Sequence, residues 1–252
     1  MIKRLLCSLL FTVCALPILC EAGARRFTYV YETTTAAPGT WELESWITWR
    51  TDKDEDRDFE QLDFRHEIEF GLTDRLQMAI YLADWTYRAG RSVENDGTVY
   101  TGSAVELIYN LTNPGTHVLG SALYGELKIG EELVGFEGKV LLQKNLGRFV
   151  LGYNASLEAE WEGEGLEERT GEFQQTFGVS YEVTPRLLIG AEFLHEIAFP
   201  EWEEAEESVV YAGPNVSLRA GNWWATTTAL AQLTESVGEP DFQLRTIVGY
   251  SF

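Results

Sequence analysis

From residue 40 onward, apolar and polar side chains alternate with period two, in stretches separated by glycine, proline, asparagine and acidic residues. The final stretch shows this plainly. Phe242, Leu244, Thr246, Val248, Tyr250 and Phe252 share one face of an extended strand, and Gln243, Arg245, Ile247, Gly249 and Ser251 share the other. The same alternation predicts twelve strands, over residues 40–51, 59–72, 75–87, 99–112, 116–129, 132–146, 148–161, 172–183, 186–199, 208–219, 222–234 and 241–252. Each has about the length of a tilted strand that crosses a bilayer, plus its rims. No stretch of useful length after Arg25 follows a helical period.

The connections alternate in character. Thr73 and Asp74, Asn113 to Gly115, Gly147, Thr184 and Pro185, and Ala220 and Gly221 read as tight turns. Between them lie longer, mostly acidic loops over 52–58, 88–98, 162–171, 200–207 and 235–240, with a short link at Gly130 and Glu131. An even number of strands joined in this way is an up-and-down meander with both ends on the tight-turn side. The expected fold class is all-β: a transmembrane antiparallel up-and-down β-barrel of about twelve strands, with short periplasmic turns and longer acidic external loops.

Charge decides which face is which. On 59–72, Asp63, Arg65, Glu67 and Glu69 share a face opposite Leu62, Phe64, Ile68 and Phe70. A charge facing hydrocarbon at the midplane costs about 2–4 kcal/mol, so the charged face is the lumen. The same parity places Glu42, Glu44, Glu106, Glu126, Lys128, Glu137, Lys139, Glu158, Glu160, Glu172, Glu182, Glu192, Glu196, Arg50, Arg219 and Arg245 inside. Fourteen acidic against six basic lumen-lining residues predict a negative interior that prefers cations. Twelve strands tilted by ~40° close at a backbone radius of about 12 Å, which leaves an expected passage of ~10 Å. Aromatic residues near strand ends, among them Trp41, Trp49, Trp85, Tyr100, Tyr153, Trp161, Trp223, Trp224 and Tyr250, suit two interfacial girdles.

Residues 1–24 read as a signal peptide removed on export. Lys3 and Arg4 precede an apolar run, and Ala22, Gly23 and Ala24 offer a cleavage site before Arg25. All three cysteines (Cys7, Cys14, Cys20) lie within it, so the mature chain has no disulfide and no thiol nucleophile. The whole chain carries a formal charge of −21; cleavage removes Lys3, Arg4 and Glu21 and leaves −22. That excludes nucleic acid as a partner. Residues 25–39 remain before the barrel of 40–252. Phe27, Tyr29 and Tyr31 alternate with Thr28 and Val30, then Pro38 and Gly39 turn the chain. A thirteenth strand, a segment tucked into the lumen and a periplasmic arm are the alternatives, with an N-terminal arm or extra strand near the periplasmic mouth preferred.

The last strand resembles the C-terminal strand of bacterial outer-membrane β-barrels, in which alternating apolar residues end on a phenylalanine. The resemblance implies that Val248, Tyr250 and Phe252 form a signal read by the barrel-assembly machinery. It also implies that outer-membrane lipid and lipopolysaccharide surround the chain. An aromatic N-terminal stretch, Pro38-Gly39, Trp41-Glu42-Leu43-Glu44 and Gly213-Pro214-Asn215 resemble, more narrowly, transporters or porins of the MetA phenol-degradation type.

The expected function is passive diffusion of small solutes, without enzymatic activity, cofactor or metal. Two other readings compete. His66 falls on the lipid face beside Ser45, and with Asp84 turned outward the three would make a wall-mounted acyl hydrolase. The other is a structural barrel with a plugged lumen. The run of aspartates at 52, 54, 56 and 58 imitates a calcium loop, but Arg57 stands where the turn glycine belongs. No two histidines have metal-ligand spacing.

Overall fold

The structure is a computed structural model and describes residues 24–93 and 96–252. The segment read as a signal peptide lies outside the described residues, apart from Ala24. Twelve strands follow in order: β1 (Trp41–Thr51), β2 (Glu60–Thr73), β3 (Leu76–Ala89), β4 (Gly97–Thr112), β5 (Gly120–Ile129), β6 (Leu133–Leu146), β7 (Phe149–Glu162), β8 (Glu168–Thr184), β9 (Leu187–Pro200), β10 (Val209–Ala220), β11 (Trp223–Gln232) and β12 (Phe242–Ser251). Every strand pairs antiparallel with its sequence neighbours, and β1 pairs with β12, so the sheet closes into a barrel without an edge. Closure satisfies the backbone groups that lipid cannot.

Four connections at one end have two residues each. Their chemistry is local. Gly147 and Gly221 supply the left-handed φ of +62° and +64°. At the other two, the hydroxyls of Thr73 and Thr184 accept the amides of Arg75 and Leu76, and of Arg186 and Leu187. The fifth connection, expected at 113–115, runs from Asn113 to Leu119. The amides of Thr116 and His117 donate to the Asn113 carbonyl, and that helical turn takes 116–119 away from the expected strand. The other end carries the longer loops.

Large apolar side chains stay exposed around the outside, including Leu43, Ile47, Val105, Leu107, Leu123, Leu127, Phe136 and Leu157. A belt of this extent has lipid as its solvent. Rings cluster at both margins: Trp41 against Phe70 and Trp223 against Tyr250 at the tight-turn end, Phe64 stacked on Trp85 and Trp161 against Trp202 toward the other. Trp224 departs from the expected girdle. It points inward, nearly buried, and donates through Nε1 to Glu42 at 2.9 Å. Gly249 leaves room for its ring, since a Cβ there would lie 2.2 Å from it.

A bulge in β3 inverts one strand's parity. Register shifts between Tyr81 and Asp84, so Gln77 and Tyr81 face inward below it and Asp84 and Thr86 face inward above it. Asp84 is therefore a lumenal residue, not the outward one that the hydrolase reading requires.

Candidate functional site

The lumen is not an open tube. Residues 24–39 contain no strand; 24–33 and Ala36 are buried or half-buried inside the barrel and 37–39 are exposed, which is the lumen-tucked alternative rather than the preferred arm or extra strand. Phe27, Thr28, Val30 and Thr33 are almost wholly buried there. Phe27 and Val30 seat against Gly152 and Gly178, where a Cβ would lie 2.6 Å from the Val30 side chain and 2.7 Å from the Phe27 ring. The plug has no neighbouring strand, so its backbone polar groups are met by side chains of the wall. The Glu192 carboxylate accepts the amides of Thr28, Tyr29 and Val30 at 2.8, 2.8 and 3.0 Å. Asn154 accepts the Tyr31 amide at 2.7 Å and donates to its carbonyl at 3.0 Å, in imitation of a strand pairing. Gln143 accepts from Thr33 at 2.9 Å, Gln77 from Ala36 at 2.7 Å, and Asn215 donates to the Arg26 carbonyl at 2.8 Å. Asn110 donates to the Thr33 carbonyl. Arg219 donates to the Ala24 carbonyl at 3.0 Å.

The charged residues named from the sequence all sit on the inner face. Glu42 and Glu44 of β1 oppose Glu69 and Glu67 of β2 as direct cross-strand pairs. Glu106 accepts the Tyr81 hydroxyl at 2.6 Å. Arg65 donates to Asp84 and to Glu126, both at 2.8 Å. Lys139 pairs with Glu137 at 3.0 Å, Lys128 approaches Glu160 at 3.9 Å, and Arg50 pairs with Asp63. Glu158, Glu160 and Glu196 line the wide half of the lumen. Arg245 donates to the Thr48 hydroxyl at 2.9 Å and lies over the Tyr29 ring. Carboxylates thus outnumber the bases they could pair with.

Two cavities, of about 570 and 330 Å³, open toward the long loops and share Arg50 in their walls. A third, of about 380 Å³, lies on the tight-turn side and has no wall residue in common with them. Between them stand the buried rings of Tyr29, Tyr31, Trp46, Tyr81 and Tyr124. The plug and this aromatic layer replace the expected ~10 Å passage.

Sequence reading missed Gln77, Asn110, Gln143 and Asn215. Their signal was available: each is an uncharged amide on the inward parity of its strand, where a barrel filled only by water has no need of one.

On the outer wall, His66 and Ser45 are a direct cross-strand pair, and Nδ1 lies 3.1 Å from Oγ. The acid that would complete a triad is on the other side of the wall, bound to Arg65. A polar pair in lipid satisfies itself by this contact. The acidic run 52–58 is likewise spent on protein partners. Asp56 accepts the Ser92 amide and hydroxyl at 2.7 and 2.9 Å and the Asp58 amide at 3.1 Å, with Arg91 at 3.4 Å. The Ser92 backbone bond is the main cause that holds its pKa down at about 2. Arg57 takes Asp54 and Asp241. Among the described residues no group of histidines and carboxylates has a metal-binding arrangement.

Residues 20–243 match a family of unknown function, DUF6662. The chain belongs to that family. A search of curated proteins finds no match. Among solved structures, the COG4313 outer membrane channel from Pseudomonas putida F1 is 13% identical, with a TM-score of 0.64 over 90% of this chain and 100% of that one. The NanC porin is 9% identical, with a TM-score of 0.55 over 83% and 98%. The β domain of the Bordetella autotransporter BrkA is 13% identical, with a TM-score of 0.55 over 85% and 100%. At these identities the likeness is one of fold: this family member has the architecture of outer-membrane β-barrels, channels and porins among them.

Proposed function

We propose that this protein is an outer-membrane channel for small solutes, closed here by its own N-terminal segment and selective for cations when open. The tight turns face the periplasm and the long acidic loops face outward, as in other barrels of this layout. The observation that carries the selectivity is the acid excess on the inner wall. Glu42, Glu44, Glu67, Glu69 and Glu106 crowd one half, Glu158, Glu160 and Glu196 the other, and most have no basic partner. In a passage about one Debye length wide, such a wall attracts cations and repels anions. The acidic loop tips add to the effect at the mouth. Uptake of the MetA phenol-degradation kind is a narrower version of this reading, supported by the short motifs at 38–44 and 213–215.

The test is a reversal potential for purified protein in a planar bilayer under a KCl gradient at neutral pH. A sign that reports cation preference is expected, weakening at high salt. A potential of anion-selective sign overturns the selectivity. Absence of conductance, with and without residues 24–37, favours the second reading, a structural barrel whose lumen the wall rings Trp46, Tyr81 and Tyr124 keep closed even without the plug.

A further inference from the structure

The plug carries an arginine into the middle of the acidic wall. The guanidinium carbon of Arg25 lies 4.2 Å from the centroid of the Tyr31 ring and 4.4 Å from that of Trp46. Its Nη1 is 3.8 Å from Glu44, a distance of charge attraction rather than of a hydrogen bond. Trp46 in turn donates through Nε1 to Glu44 at 2.9 Å and to Glu67 at 3.2 Å, so the ring and both carboxylates are one rigid unit. This unit is under-used. Beyond facing each other across β1 and β2, Glu44 Oε1 and Glu67 Oε2 have no hydrogen-bond partner, Arg25 Nη2 donates none, and both glutamates are at least nine-tenths buried. A buried carboxylate oxygen without a donor is costly, and so is a buried N–H without an acceptor. Arg25 therefore fits the charge and the stacking of the site without filling its hydrogen bonds.

Aromatic faces beside carboxylates are the recognition chemistry of organic cations. The unit also stands at the divide between the cavities. Trp46 lines the 330 Å³ cavity on the long-loop side, while Glu67, Arg25 and Tyr31 line the 380 Å³ cavity on the tight-turn side. We propose that Trp46, Glu44 and Glu67 form a binding site for a small organic cation bearing a guanidinium or primary ammonium group, and that Arg25 occupies it in the closed state as a tethered stand-in. A solute cation and the plug then compete for one site. That the bound cation is cargo rests on the channel reading; that the site binds it does not.

The experiment is a calorimetric titration of the full chain in detergent with agmatine, and with n-butylurea as an uncharged control. Arg25→Ala vacates the site, and agmatine is expected to bind it at least ~10-fold tighter than wild type, while butylurea gains nothing. Adding Trp46→Leu or Glu44→Gln to Arg25→Ala should remove the gain. Equal affinity in wild type and Arg25→Ala overturns the proposal, as does an equal gain for butylurea. Should Arg25→Ala fail to fold, hydrogen exchange of residues 24–39 in wild type decides: agmatine is expected to increase it, and no change overturns the proposal. Agmatine binding by a protein that conducts no ion removes the channel reading and leaves the site.

Discussion

Glu192 and Tyr29 are joined across the lumen by a 2.8 Å bond from the Tyr29 amide to the carboxylate, and the amides on either side of it converge on the same group. Three successive backbone donors on one carboxylate make a nest for an anion, here filled by the wall itself. Thr228 adds its hydroxyl at 2.5 Å.

Glu192→Ala should loosen the plug more than any single truncation elsewhere in the lumen. It leaves three buried amides without an acceptor, at about 1–3 kcal/mol for each orphaned group. Faster hydrogen exchange over residues 26–31 and more frequent openings in a planar bilayer are expected, with the barrel still heat-modifiable on a gel. Unchanged exchange there would show that the nest is dispensable.

The loop pair held by Asp56 should resist acid. Its folded pKa of about 2 lies below the ordinary aspartate value, so its stabilising effect is full above about pH 4 and is lost as pH falls through the folded value. Hydrogen exchange at Ser92 is expected to stay slow at pH 4 and to rise toward pH 2; Asp56→Asn should show fast exchange throughout. Loss of protection already near pH 5 would contradict the network.

Phe252 is three-quarters exposed, and its amide closes the barrel by donating to the Trp41 carbonyl at 3.0 Å. Phe252→Ala, or a polar tail after it, should reduce membrane-inserted protein several-fold without affecting export, as read by heat-modifiable migration. Val248 and Tyr250, on the same outward face, would be weaker determinants. Equal insertion of both variants removes the assembly role.

Ser45 should not react with a fluorophosphonate, because His66 has no acid to orient it on the lipid face. Stoichiometric labelling that His66→Ala abolishes would restore the hydrolase. His66→Leu should be neutral or mildly stabilising only together with Ser45→Ala, since either change alone strands a polar partner in lipid.

The strands were legible because lipid and lumen impose opposite chemistry on alternate residues, and runs such as Asp63, Arg65, Glu67 and Glu69 leave no second register. Two things were not. The β3 bulge adds one residue to a strand that otherwise keeps its alternation, and only pairing with Gly102 reveals where Asp84 points. The plug is held by side chains reaching backbone over separations of 41 to 217 residues, as from Gln77 to Ala36 and Arg245 to Thr28. Such contacts leave no period in the segment they hold. Phe27, Tyr29 and Tyr31 look like a strand, yet Phe27 and Val30 pack on Gly152 and Gly178 while Tyr29 reaches Gln243 and Tyr31 meets Trp46 and Tyr124.

The described part of the plug, residues 24–39, has both its ends at the same mouth. Ala24 meets Arg219 beside the turn after β10, and Gly39 meets Gly71 and runs straight into β1. A segment leashed in this way leaves and returns by one route without threading the constriction. It never becomes a free ligand: once out, it faces its seat at an effective concentration on the order of millimolar, whatever the abundance of the protein. Closure is then a first-order event private to each molecule, with a dwell time that dilution does not change.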